Sequence, residues 1–121
     1  MLQLTPQQNI YVANSFVDFR KGIDGLAATV RNYLSLDPLA GGLFMFYNKT
    51  QTTIKILVYD GQGFWLHTKR LSSGKFTHNL HPKNPDLYLK ICHRSLYILI
   101  HNGNPNTANL AKDWRPIKPP A

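Results

Sequence analysis

The feature that most constrains this fold is a series of three β-rich runs, joined by short turn signals, between residues 43 and 71. Leu43-Phe44-Met45-Phe46-Tyr47 is an aromatic run flanked by Gly41-Gly42 and by the turn Asn48-Lys49-Thr50. Ile54, Ile56 and Val58 then alternate with Lys55, Leu57 and Tyr59, and Asp60-Gly61-Gln62-Gly63 separates them from a third run, Phe64 to Leu71. A connection that short can only return the chain beside itself, so the three runs are expected to pair as an antiparallel meander. Ser72-Ser73-Gly74 signals another turn, and Lys75-Phe76-Thr77 is expected to begin a fourth strand.

The flanking segments read differently. Ile10, Val12, Phe16 and Val17 alternate imperfectly with small polar residues and suggest a first strand between Ile10 and Phe19. Ile23, Leu26, Ala27, Val30 and Leu34 recur at intervals of three and four, which lines one face of a helix. Asp18 or Gly22 suits the cap of that helix, Asp24 falls in its first turn, and Asp37-Pro38 stops it. Leu87, Ile91, Leu96 and Leu99 predict a second helix, with strand a competitor over Ser95 to His101, because Tyr97-Ile98-Leu99-Ile100 is β-rich. At 121 residues the chain has material for one core. The expected architecture is α+β: a single domain over residues 1–101, with a meander of three to five strands packed with two helices and one sheet face buried. The proline-rich stretch 102–121 is expected to be extended or disordered.

Composition matters chiefly through charge. Fourteen Lys and Arg stand against six Asp and no Glu, a net charge of +8. Such a surplus attracts polyanions and makes nucleic acid the natural partner class, although a solvated basic surface has the same composition. Metal-assisted or carboxylate catalysis is not expected. Asp18 and Asp24 are explained as helix-start residues and Asp60 as a turn former, and a zinc site is not expected from His78 and His81 beside the single Cys92. Cys92 itself is expected to be a buried, inert thiol in a helical stretch. No catalytic residue, metal or cofactor is therefore assigned. Met1 to Asn9 lacks the pattern of a secretory signal, and Leu87 to Ile100 is too short and too interrupted to span a bilayer, so a cytoplasmic location is expected.

Basic residues recur at turns and element ends: Arg20-Lys21 before the first helix, Lys49 at a hairpin tip, and Lys69-Arg70 with Lys75 around a further turn. With Tyr47, Tyr59, Phe64 and Trp65 they are candidates for a DNA-binding edge or face. The competing reading has the aromatics in the core and the charges in solvent.

Several motifs, in order, resemble the short second-frame (Orf2-like) accessory proteins of IS66-class bacterial insertion sequences. They are Asp18-Phe19-Arg20-Lys21-Gly22-Ile23-Asp24-Gly25-Leu26, Asp37-Pro38 with Gly42-Leu43-Phe44-Met45-Phe46, Ile54-Lys55-Ile56-Leu57, Tyr59-Asp60-Gly61-Gln62-Gly63-Phe64, Lys69-Arg70-Leu71 and Gly74-Lys75-Phe76. Trp114-Arg115-Pro116 resembles the family's usual ending. The resemblance implies a non-catalytic protein acting beside a separate acidic-triad transposase and a further small protein of the same element. Contact with DNA and docking of the transposase without DNA contact are both compatible with it. Leu80 to Asn109 departs most, being rich in Tyr, His and Asn where the family commonly has a clean amphipathic helix.

Overall fold

The structure, a computed structural model, describes residues 8–77 and 86–102. Five strands form one sheet: β1 (Ile10–Ala13), β2 (Leu43–Tyr47), β3 (Thr53–Tyr59), β4 (Phe64–Arg70) and β5 (Tyr88–Ile91). Helix α1 (Gly22–Asn32) follows a 3-10 turn at Phe19–Lys21, and α2 (His93–Ile100) follows β5. The spatial order is β4-β3-β2-β1-β5. All neighbours are antiparallel except β1 and β2, which run parallel because α1 carries the chain back to the starting end of the sheet. The fold is α+β, as the sequence indicates.

The meander forms where local signals are strongest. Asn48 Oδ1 accepts from the backbone N–H groups of Thr52 and Thr53, closing the β2–β3 turn. At the β3–β4 turn Asp60 Oδ1 accepts from Gln62 N and Gly63 N, both at 2.8 Å, while Asp60 Oδ2 accepts from the Trp65 indole. Gly61 has φ +93°, in the region open chiefly to glycine. Register follows in steps of one from Leu43 opposite Val58 to Tyr47 opposite Ile54.

Alternation along the strands feeds two cores, not one. On one face Ile10, Val12, Leu43, Met45, Tyr47, Ile54 and Ile56 pack with Phe76 and with Leu96 and Leu99 of α2. On the other, Ala13, Phe44, Phe46 and Leu57 pack with Leu26, Ala27 and Val30 of α1, and with Val17 and Leu34. The expectation of one buried face is therefore corrected: a helix covers each face, which is why all five residues of β2 are buried. Each fully buried Leu or Phe contributes on the order of 1.5–3 kcal/mol relative to exposure.

Other expectations also change. The first strand ends at Ala13, well short of Phe19; Asn14 donates to the Asp86 carbonyl and Val17 N to the Tyr47 carbonyl, so this segment crosses the sheet end instead of extending it. Ile23 is exposed, and the buried stripe of α1 begins at Leu26. Helix α1 ends before Ser35, whose φ is +57°, with Leu36 N donating to the Val30 carbonyl. Lys75-Phe76-Thr77 adds no strand; Phe76 N donates to the Gln51 carbonyl at 2.7 Å and its ring is a core plug against Tyr47. The stretch read as a second helix divides. Tyr88–Ile91 is a strand because the open side of β1 pairs with it, and only His93–Ile100 is helical, so the strand alternative for Ser95 to His101 is also set aside. Cys92 lies at the junction, outside the helix and exposed. Its Sγ is 3.4 Å from the Ser95 hydroxyl, which lowers the thiol's pKa, so the buried, inert reading is corrected.

Residues 78–85, with the pair His78 and His81, and residues 103–121, with Trp114-Arg115-Pro116, lie outside the described residues. Asn102 is held: its Oδ1 accepts from Thr77 N and its Nδ2 donates to the Lys75 carbonyl.

Candidate nucleic-acid interface

Because β1 and β2 are parallel, the segments leaving them emerge at the same end of the sheet. Residues 14–21 leave β1 there and the Asn48–Thr52 turn leaves β2. β4 also finishes at this end, since Arg70 lies opposite Thr53, and Leu71 N donates to the Thr52 carbonyl. The chain then folds back so that Phe76 bonds Gln51. Topology thus collects Arg20, Lys21, Lys49, Arg70 and Lys75, which lie up to 55 positions apart in sequence, around one hairpin tip, all exposed.

A shallow groove of about 650 Å³ opens at this end, lined by Phe16, Val17, Asp18, Phe19, Arg20, Asn48, Lys49 and Thr50. Arg20 and Lys49 therefore share one concavity. The Asp18 carboxylate accepts from Arg20 Nη2 at 2.7 Å and from Nε at 3.1 Å, and its Oδ1 also accepts from the Arg20 backbone N–H. Those bonds hold the Asp18 carboxyl down at about 2 and raise the Arg20 guanidinium. A guanidinium has five N–H donors, so the Nη1 pair stays available for another anion. Lys55 Nζ stands 5.2 Å from the centre of the Phe19 ring, within cation–π range.

The remaining sequence candidates are placed as follows. Lys69 lies on the α2 face, where its ammonium donates to the Ile100 carbonyl at 2.8 Å. Asp24 is exposed in the first turn of α1. Gly25 fits where it does because a Cβ there would collide with Lys21 Cβ. Asp60, Gly61 and Gly63 build the β3–β4 turn at the other end of the sheet, and the Trp65 indole followed by the backbone bonds lowers the Asp60 pKa. Among the described residues no three of His, Cys and Asp converge as metal ligands would. No helix among them is long and apolar enough to cross a membrane.

The aromatic set separates. Tyr47 is fully buried, with its hydroxyl unpartnered among the described residues, and burial pushes that hydroxyl's pKa up. Tyr59 and Phe64 pack on each other, whereas Trp65 is 53% exposed. Phe16, Asn48 and Lys55 join the site without having been singled out by sequence. Lys55 carried a readable signal, a charge alternating with the buried Ile54 and Ile56.

No solved structure matches this chain. Two curated relatives from Sinorhizobium fredii, both described as uncharacterized, are similar: y4hO at 38% identity over 76 residues, covering 63% of this chain and 66% of that protein, and y4jC at 45% over 67 residues, covering 55% and 57%. The matched region thus spans less than two thirds of each relative's length. The model of the family described as IS66 Orf2 like protein matches residues 8–108, which takes in the whole sheet, both helices and the basic end. This chain belongs to the IS66 Orf2-like protein family.

Proposed function

We propose that this insertion-sequence accessory protein acts in the cytoplasm by binding DNA through the basic end of its sheet, and that it assists the element's separate transposase in that way without chemistry of its own. The observation that carries the reading is the convergence of Arg20, Lys21, Lys49, Arg70 and Lys75 around the Asn48–Thr52 turn, against one ion pair among the described residues, at Asp18. A rim of separate cations neutralises successive phosphates and releases their counterions, which is a source of affinity independent of sequence. Asp18 fixes the Arg20 guanidinium in one orientation, so less side-chain freedom is lost when the Nη1 edge meets a phosphate. The apolar lining beside it, Phe16 and Phe19, suits a sugar or base edge next to that phosphate.

Lys69 is not among the proposed phosphate contacts, because Ile100 engages its ammonium. The proposed role of the Asp60 turn is to hold β3 and β4 in register, and Asp24 and Gly25 shape the start of α1 beneath Lys21.

Fluorescence anisotropy with a labelled duplex across a salt series tests the reading. Three to five phosphate contacts give a slope of log affinity against log salt of about −3 to −4.5. Lys49→Glu and Arg70→Glu together flatten that slope, while Arg31→Glu, on the last turn of α1, leaves it largely intact. Absence of binding at low salt, or equal effects from both sets, defeats the proposal and favours docking to the transposase without DNA contact.

A further inference from the structure

The two edges of the sheet are guarded unequally. Strand β5 is four residues long with Lys90 within it, the usual way of discouraging further pairing. Strand β4 runs seven residues, without proline or glycine, in unbroken register with β3 from Tyr59 opposite Phe64 to Thr53 opposite Arg70. Among the described residues no strand pairs with its outer side.

The order of side chains along β4 is polar in a specific sense. Phe64 and Trp65 begin the strand, Lys69 and Arg70 end it, and His67 is the midpoint. From these observations we infer that two copies of this chain associate through β4, antiparallel, with His67 of one copy opposite His67 of the other.

That register sets Phe64 opposite Arg70, Trp65 opposite Lys69 and Leu66 opposite Thr68. Side chains alternate faces with a period of two, so each pair meets on a common face: Phe64 with Arg70 on the α1 side, Trp65 with Lys69 on the α2 side. An arginine guanidinium, that of Arg70, then lies against the Phe64 ring at both ends of the seam. Trp65 offers its exposed ring, already aligned with His67 at 6.1 Å between centres and 10° between planes. Lys69 presents its stem, its ammonium being engaged by Ile100.

Other registers lose this match. Moving the pivot to Lys69 sets like charges directly opposite, which destabilises a strand pair. Moving it to Trp65 leaves Lys69 and Arg70 without aromatic partners. A pivot between two residues joins the α1 face of one copy to the α2 face of the other, which breaks the continuity of both cores. The antiparallel arrangement also sends the two basic ends in opposite directions, so two chains of net charge +8 keep their densest charge apart.

Light scattering on the eluting full-length chain, at tens of micromolar and moderate salt, tests the association. The expected mass is twice the 13.8 kDa of the chain, and Trp65→Lys, with its fold verified by circular dichroism, is expected to elute as a monomer. Register is read separately in a Cys92→Ser background. His67→Cys is expected to form an intermolecular disulfide rapidly under mild oxidation, because directly opposed residues bring their Cβ atoms within disulfide reach. Thr68→Cys, displaced from the pivot, is expected to crosslink at least tenfold more slowly. A monomer at all concentrations overturns the inference and leaves the edge to a strand from another protein. A dimer that survives Trp65→Lys, or that crosslinks equally at both positions, overturns it in favour of another surface.

Discussion

Lys69 Nζ lies 2.8 Å from the carbonyl oxygen of Ile100, tying the end of β4 to the last turn of α2. Carbonyls at a helix C-terminus have no intrahelical partner, and a lysine ammonium satisfies one of them while meeting the negative end of the helix dipole. Replacement by Met keeps the stem and removes the bond. Lys69→Met is expected to lower stability by about 1 kcal/mol in urea unfolding, with the slope of DNA affinity against salt unchanged. A Lys49→Met chain is expected to show the opposite pattern.

The Asp18–Arg20 pair makes a prediction in pH. The Asp18 carboxyl is held at about 2, against 3.8 for an unperturbed group, chiefly by the Arg20 side chain. A depressed carboxyl contributes stability above its unfolded value, and that contribution is lost as pH falls through the folded value. The pair's contribution should therefore be constant above about pH 5 and fade between about pH 4 and 2. An NMR titration of the Asp18 carboxyl carbon should show a midpoint near 2 in the native chain, and Arg20→Gln should move it upward. No upward movement would remove Arg20 as the cause.

Gly25 gives a test of sign. Alanine is the better helix former by about 1 kcal/mol in a helix interior, so propensity alone predicts that Gly25→Ala stabilises α1. The added methyl meets Lys21 Cβ and stands 3.1 Å from Lys21 Cγ. Backbone at the 3-10 to α junction has to move, and overpacking of this kind costs about 1–3 kcal/mol. Thermal unfolding of Gly25→Ala is expected to show a lower midpoint than the native chain.

Tyr47 carries a hydroxyl in an apolar core with no hydrogen-bond partner among the described residues. Burying an unpaired hydroxyl is costly, and Phe fills nearly the same volume without it. Tyr47→Phe is therefore expected to leave stability unchanged or raise it by about 1 kcal/mol. In the native chain, ultraviolet titration should find one tyrosine that resists ionisation, and that component should vanish in Tyr47→Phe.

What the sequence revealed depended on the range of the forces involved. The β2–β3 and β3–β4 connections were legible because Asn48 and Asp60 bond within their own turns. Helix α1 was legible from Leu26, Ala27 and Val30, which pack on one face. By contrast, Tyr88–Ile91 becomes a strand only because β1, some 75 positions earlier, leaves an open edge; no local signal distinguishes it from the helical turn that follows. Phe76 looked like the start of a strand, yet tertiary packing uses it as a plug. Each basic cluster was visible singly. Their meeting at one end follows from the parallel β1–β2 pair, and the loss of Lys69 from that group follows from which face of β4 it occupies.

The position of β1 between β2 and β5 also bears on synthesis. Ile10–Ala13 is translated before the other four strands, but its outer side is covered only when β5 has been made. At about 5–20 residues per second, the interval between Ala13 and Tyr88 lasts roughly 4–15 s, long enough for the local β2–β4 meander to form. A prematurely terminated chain lacking β5 would retain an uncapped Ile-Tyr-Val edge capable of recruiting other strands, so truncated products should precipitate under conditions in which the finished protein stays dissolved.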